Sequence, residues 1–150
     1  MQAFHNDPQV KQEYLNRLAR HAELDNIIQG TGWESGRGCA VGCTLEGYDH
    51  GRYPIELGIP REIAHLEDVI FEGLPIGDAE KFPRALLDAI PVGADLSFVH
   101  RYFLVWLLID PSDGVIRFAD SDDERKVISD VAALHQRVID GDMPSRGEWA

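Results

Sequence analysis

The stretch Leu96-Ser-Phe-Val-His-Arg-Tyr-Phe-Leu-Val-Trp-Leu-Leu-Ile109 decides how the rest of the chain is read. Wound at 3.6 residues per turn, it places apolar side chains on every side, and a helix of that kind belongs in the centre of a core. A rival reading breaks it into a hairpin, with 104–109 and 115–119 as strands joined through Asp110-Pro-Ser-Asp-Gly114. Periodicity alone does not separate the two for so short an apolar run. The helix is the expectation, and the hairpin, which would make the fold α+β, is the alternative.

Working outward, the local signals are helical. Asp7-Pro8 offers a capping carboxylate followed by proline at the first helical position. Val10, Tyr14, Leu18 and Ala22 then repeat at helical spacing, Leu15, Ile27 and Ile28 widen the stripe, and Gly30 supplies a stop, so a helix is predicted over 8–29. Residues 31–38 are turn-rich. Residues 38–46 read as a short helix of small side chains, with Gly42 admitting another helix at close range. Pro54 begins a short turn, and Pro60 begins a helix whose buried face is Ile63, Leu66, Ile70 and Leu74. Gly77-Asp78 opens a further segment that Pro83 restarts. Asp95 is placed to cap the apolar helix, and Asp122 or Asp123 a last one ended by Gly141. The sum is an all-α, compact single-domain bundle of six or seven helices, with the apolar helix in the middle and oblique packing around it.

The 150 residues suggest one domain large enough to bury a core without staples. The formal charge of −12 opposes non-specific attraction to nucleic acid or anionic membrane. The excess is uneven: it lies in residues 46–80 and 110–142, on either side of the apolar helix. Two cysteines cannot make a disulfide framework. Met1-Gln-Ala-Phe-His5 lacks the basic start and apolar run of a signal peptide, and the apolar run from Tyr102 to Ile109 is too short to span a bilayer. A soluble, cytoplasmic protein is the expectation.

The segments Gly38-Cys-Ala-Val-Gly-Cys-Thr44, Leu57-Gly-Ile-Pro60, Leu66-Glu-Asp-Val-Ile-Phe-Glu-Gly-Leu-Pro75 and Ala89-Ile-Pro-Val-Gly-Ala-Asp-Leu-Ser97 together resemble a family of uncharacterised bacterial and phage-associated proteins. The resemblance covers nearly the whole chain. It implies a single soluble domain and carries no activity and no site residues.

Three groups of residues carry chemistry. Cys39 and Cys43 are one helical turn apart, so two thiolates could act as a redox dithiol or as half of a metal site completed from His50. The spacing is C-x-x-x-C rather than the redox C-x-x-C, and the plainer reading is two small buried hydrophobes. His21 and Asp25, again one turn apart, read as a base with its orienting carboxylate or as a two-ligand half-site, which His5 and Glu34 would join on folding; the alternative is an exposed helix pair. His65, Glu67, Asp68 and Glu72 form a third cluster, in which Asp68 and Glu72 share a face and could reach one metal ion; the alternative is a solvated acidic face. No G-x-S-x-G, P-loop, H-E-x-x-H or EF-hand loop is present, and no cofactor is expected.

The leading expectation is therefore a non-enzymatic accessory or interaction protein whose acidic surface meets a basic protein partner, as a nucleic-acid mimic would. The alternatives are a small thiol- or metal-dependent helical enzyme and a structural homo-oligomer built through exposed aromatics such as Trp33 or Trp149.

Overall fold

A computed structural model describes residues 1–149. Among these residues are eight α-helices, two short 3-10 turns and one two-stranded antiparallel hairpin: α1 (Pro8–Glu23), β1 (Trp33–Glu34), β2 (Arg37–Gly38), α2 (Ala40–Leu45), α3 (Arg52–Glu56), α4 (Arg61–Gly73), α5 (Ile76–Ala79), α6 (Phe82–Ala89), α7 (Val99–Ile109) and α8 (Asp122–Ile139). The fold is all-α in character, and among the described residues no helix is long and apolar enough to cross a membrane. By its internal contacts the chain divides into two compact units where the length alone suggested one: Met1–Ser97, and a second that begins at Phe98.

In the first unit the local signals hold at helix starts. The Asp7 carboxylate accepts from the Gln9 N–H at 2.8 Å with Pro8 at the first helical position, Pro60 precedes α4, and Pro83 sits in the first turn of α6. Helix α1 ends at Glu23, six residues short of the expected last helical residue at position 29. Asp25 takes a left-handed conformation (φ +53°), and the N–H groups of Asp25 and Asn26 return to the carbonyls of Ala22 and His21, a Schellman closure made without glycine. Ile27 and Ile28 therefore leave the helix and run beside Gly38, to whose carbonyl the Ile28 N–H donates at 2.8 Å.

Helix α2 is wholly buried, but what approaches its Gly42 is a loop and not another helix. A Cβ built on Gly42 would lie 1.8 Å from the Gly32 carbonyl oxygen, and one on Gly38 would lie 2.2 Å from the same atom. The Cys39 N–H is shared between the Thr31 carbonyl (2.7 Å) and that Gly32 oxygen (3.2 Å). Gly38 and Gly42 together leave the hollow that receives it.

The core of this unit gathers Phe4, Leu18, Tyr53, Leu57, Ile59, Phe71 and Leu87, all about fully buried. Among them lies a carboxyl group. Glu67, 1% exposed on the inner face of α4, accepts from the Tyr53 hydroxyl at 2.6 Å. Burial pushes its pKa up to about 8, and the neighbouring Asp68 adds to the rise.

The second unit corrects the central placement of the apolar helix. The segment is indeed helical, and among the described residues no hairpin forms over 104–119, because Asp110 Oδ1 accepts from the N–H groups of Ser112 and Asp113 and turns the chain into a 3-10 turn. Yet no residue of α7 is buried. Its partner within the unit is α8, and one helix covers one side of a cylinder that is apolar all round. Asp95 caps the turn before α7, accepting from the Ser97 N–H, while α7 itself starts at Val99. Helix α8 opens on a Ser121–Glu124 capping box in place of an aspartate cap. Trp149 packs edge-on to His135, with the Arg101 guanidinium over its ring; Trp33, in the first unit, is half-buried.

Two stability predictions follow from this packing. Gly42→Ala sets a methyl group 1.8 Å from a backbone carbonyl oxygen, so urea unfolding is expected to show a loss of about 2–3 kcal/mol. Between the ordinary carboxylate pKa and about 8, folded Glu67 holds a proton that the unfolded chain has lost, so stability falls as pH rises through that window. The slope is at most about 1.4 kcal/mol per pH unit. Glu67→Gln, which carries no such proton, is expected to flatten the fall measured between pH 5 and 9; parallel profiles for the two proteins would contradict the assignment.

Candidate functional site

Helix α4 carries two stripes. Ile63, Ala64, Glu67 and Phe71 face the core, while His65, Asp68 and Glu72 follow one another at i, i+3 and i+7 on the other side. The far end of that second stripe is held from a distant part of the chain. The Gln29 side-chain amide donates to the carbonyls of Phe71 (2.7 Å) and Leu74 (2.9 Å), and the Gly30 N–H donates to Glu72 Oε2 at 2.9 Å. The segment 26–32 therefore closes the C-terminal end of α4 and, through the Gly32 carbonyl, fixes the start of α2.

Cys39 is the N-cap of α2, and its sulfur accepts from the Gly42 N–H at 3.4 Å. This places the thiol beside α4: ligand atoms of Cys39, Asp68 and Glu72 all lie within 4.8 Å of one another. The loop after α2 completes the group. Asp68 Oδ2 accepts from the Tyr48 hydroxyl at 2.7 Å and lies 3.1 Å from His50 Nε2. The His50 ring stacks on His65 with centroids 4.1 Å apart, and Tyr48 meets His50 edge-on. The Tyr48 ring also lies over Gly32, so the carbonyl hollow and the cluster share a wall. Asp68 Oδ1 is enclosed and makes no hydrogen bond.

The electrostatics follow from this crowding. Burial pushes the Cys39 thiol up to about 12, against the pull of the Gly42 N–H and with the help of the Asp68 carboxylate. The hydrogen bond to Asp68 is the main cause that raises the Tyr48 phenol to about 12. Desolvation, and then the neighbouring His50, hold the His65 imidazole below its ordinary value.

The residues expected from sequence are partly regrouped. Cys43 does not act with Cys39: it donates to the carbonyls of Gly38 (3.3 Å) and Asn26 (3.4 Å), and burial pushes its thiol up to about 11. His21 and Asp25 do not form a pair, because Asp25 lies beyond the helix end. His21 sits instead 3.2 Å from Glu46 Oε1 and edge-on to Trp33, while His5 reaches the Ile55 carbonyl. His50 comes to Asp68 rather than to the two cysteines. What assembles is two of the three residues of the first group with three of the four of the third: Cys39 and His50 with His65, Asp68 and Glu72. Glu67, read with them, faces the core. Tyr48 was not anticipated, since a loop tyrosine carries no spacing signal.

Comparison of the chain with protein-family models, curated proteins and solved structures finds no match. The class that the geometry defines is a small helical protein with a mixed thiol, carboxylate and imidazole cluster at one edge of its core.

Raised thiol pKa values and near-complete burial predict slow chemistry. At pH 8 a soluble disulfide reagent is expected to modify Cys39 and Cys43 of the folded protein at least about a hundredfold more slowly than in urea. Two thiols that react at the unfolded rate would show that this part of the core opens freely.

Proposed function

We propose that this chain is a metal protein that holds a divalent cation of the zinc type through Cys39, Asp68 and Glu72. The observation that carries the reading is the convergence of these three donors from the cap of α2 and one face of α4. Donors around a tetrahedral zinc ion stand about 3.3–3.8 Å apart at ordinary bond lengths, so the cluster needs only small side-chain movements to close on one. A thiolate beside carboxylates and imidazoles suits a borderline cation and not magnesium or calcium, which take oxygen ligands. A divalent ion would also offset the repulsion between a thiolate and two carboxylates, and Asp68 Oδ1 has no other bond to give up. His50 stays on Asp68 as its orienting partner, which leaves the fourth position to water, as in reactive rather than purely structural zinc sites.

A second reading rests on charge alone. Asp122, Asp123 and Glu124 crowd the exposed first turn of α8, and the net charge of −12 favours an accessory protein that meets a basic protein partner. Salt-sensitive retention of a defined lysine-rich peptide would support it, and equal retention at low and high salt would not.

Equilibrium dialysis against Zn²⁺ tests the first reading, with Co²⁺ as a spectroscopic stand-in. The expected result is one ion per chain, a thiolate-to-cobalt absorption band lost in Cys39→Ser, and affinity lowered roughly 10- to 100-fold in Asp68→Asn and Glu72→Gln. His21→Ala is expected to bind as the parent does. No retained ion, or a band that survives Cys39→Ser, would overturn the assignment.

A further inference from the structure

Helix α7 presents a second problem that the metal cluster does not touch. Four of its side chains stand at least two-fifths exposed: Val99 (41%), Tyr102 (57%), Trp106 (44%) and Ile109 (40%). Their spacing of three, four and three residues places them on one stripe, the a and d positions of a helical seam. The stripe contains no charged side chain, whereas the chain as a whole carries −12. An apolar line of this length on the surface of the unit marks an interaction site.

The order of side chains along the stripe says what covers it. From either end it reads β-branched aliphatic, aromatic, aromatic, β-branched aliphatic, and the spacing is the same in both directions. A two-fold axis between Tyr102 and Trp106 would lay Val99 on the partner's Ile109 and Tyr102 on the partner's Trp106. Each aliphatic residue would then meet an aliphatic one and each aromatic an aromatic, in the reciprocal pairing of an isologous contact. At ordinary side-chain areas the exposed parts of these four residues come to on the order of 370 Å², and Phe98, Val115, Phe118 and Val127 bring the uncovered apolar area of the unit to on the order of 700 Å². A standard interface takes about 800 Å² from each partner.

We propose that Val99, Tyr102, Trp106 and Ile109 form a homodimer seam on which a second copy of this chain docks its own α7 antiparallel, two helix pairs thereby making a four-helix bundle. Both copies are strongly acidic, so salt screens their repulsion and tightens the dimer, the reverse of its effect on an ionic interface.

Sedimentation of the 150-residue chain over a range of micromolar concentrations tests this. The expected result is twice the chain mass, with a dissociation constant that falls as salt is added. Tyr102→Glu and Trp106→Glu are each expected to weaken association at least about tenfold while circular dichroism stays unchanged. Ile55→Glu, at an exposed apolar position of the first unit, should leave association intact. Should the glutamate variants fail to fold, oxidative cross-linking settles the orientation. A Tyr102→Cys chain mixed with a Trp106→Cys chain should form the mixed disulfide in preference to either like pair. A single chain mass throughout, a dimer indifferent to both glutamate substitutions, or a preference for like disulfides would overturn the proposal.

Discussion

One backbone carbonyl organises the first unit. The Gly32 oxygen enters a hollow that exists only because Gly38 and Gly42, one helical turn apart, have no side chains, and there it meets the Cys39 N–H. The contact fixes three things together. It sets the start of α2, it pins the segment 26–32 whose Gln29 and Gly30 close the end of α4, and it turns the Cys39 thiol towards Asp68 and Glu72. The Tyr48 ring, packed over Gly32 and bonded to Asp68, links the hollow to the carboxylates from outside.

Helix starts were legible in the sequence because their causes are local. A carboxylate before a proline at residues 7–8 and a proline at 60 each act within one turn of the backbone they precede, whereas at α8, where Asp122 or Asp123 is the expected cap, the cap is Ser121, one residue earlier. The end of α1 was not legible. Gly30 is the residue that propensity favours as a stop, but the closure is made by Asp25, whose left-handed conformation is held by two hydrogen bonds that no composition rule encodes. The cluster divides in the same way. Asp68 and Glu72 share a face by spacing alone, whereas their meeting with Cys39 depends on where a loop carbonyl lodges.

The apolar helix is the instructive difference. A segment that is apolar on all sides fits the centre of a core, and it equally fits a helix whose covering lies outside its own unit. Sequence pattern reports how much surface must be covered and is silent on what covers it. The structure separates the two, since α7 contributes no buried residue while the core forms around Tyr53, Phe71 and Leu87. Charge is similarly divided: the acids of 46–80 include the cluster carboxylates, and three of those in 110–142, Asp122, Asp123 and Glu124, crowd the first turn of α8.

The capping of α4 by Gln29 has a kinetic side. A helix whose last carbonyls are satisfied by an amide from 42 and 45 residues earlier cannot finish its final turn until that loop has closed. Ordering Glu72 is thus a late, long-range event, while Asp68, a turn earlier, is placed as soon as the helix winds. An opening of residues 26–32 would release Glu72 from the Gly30 N–H and Cys39 from the Gly32 carbonyl together, and it would lift Ile27 out of the core as well.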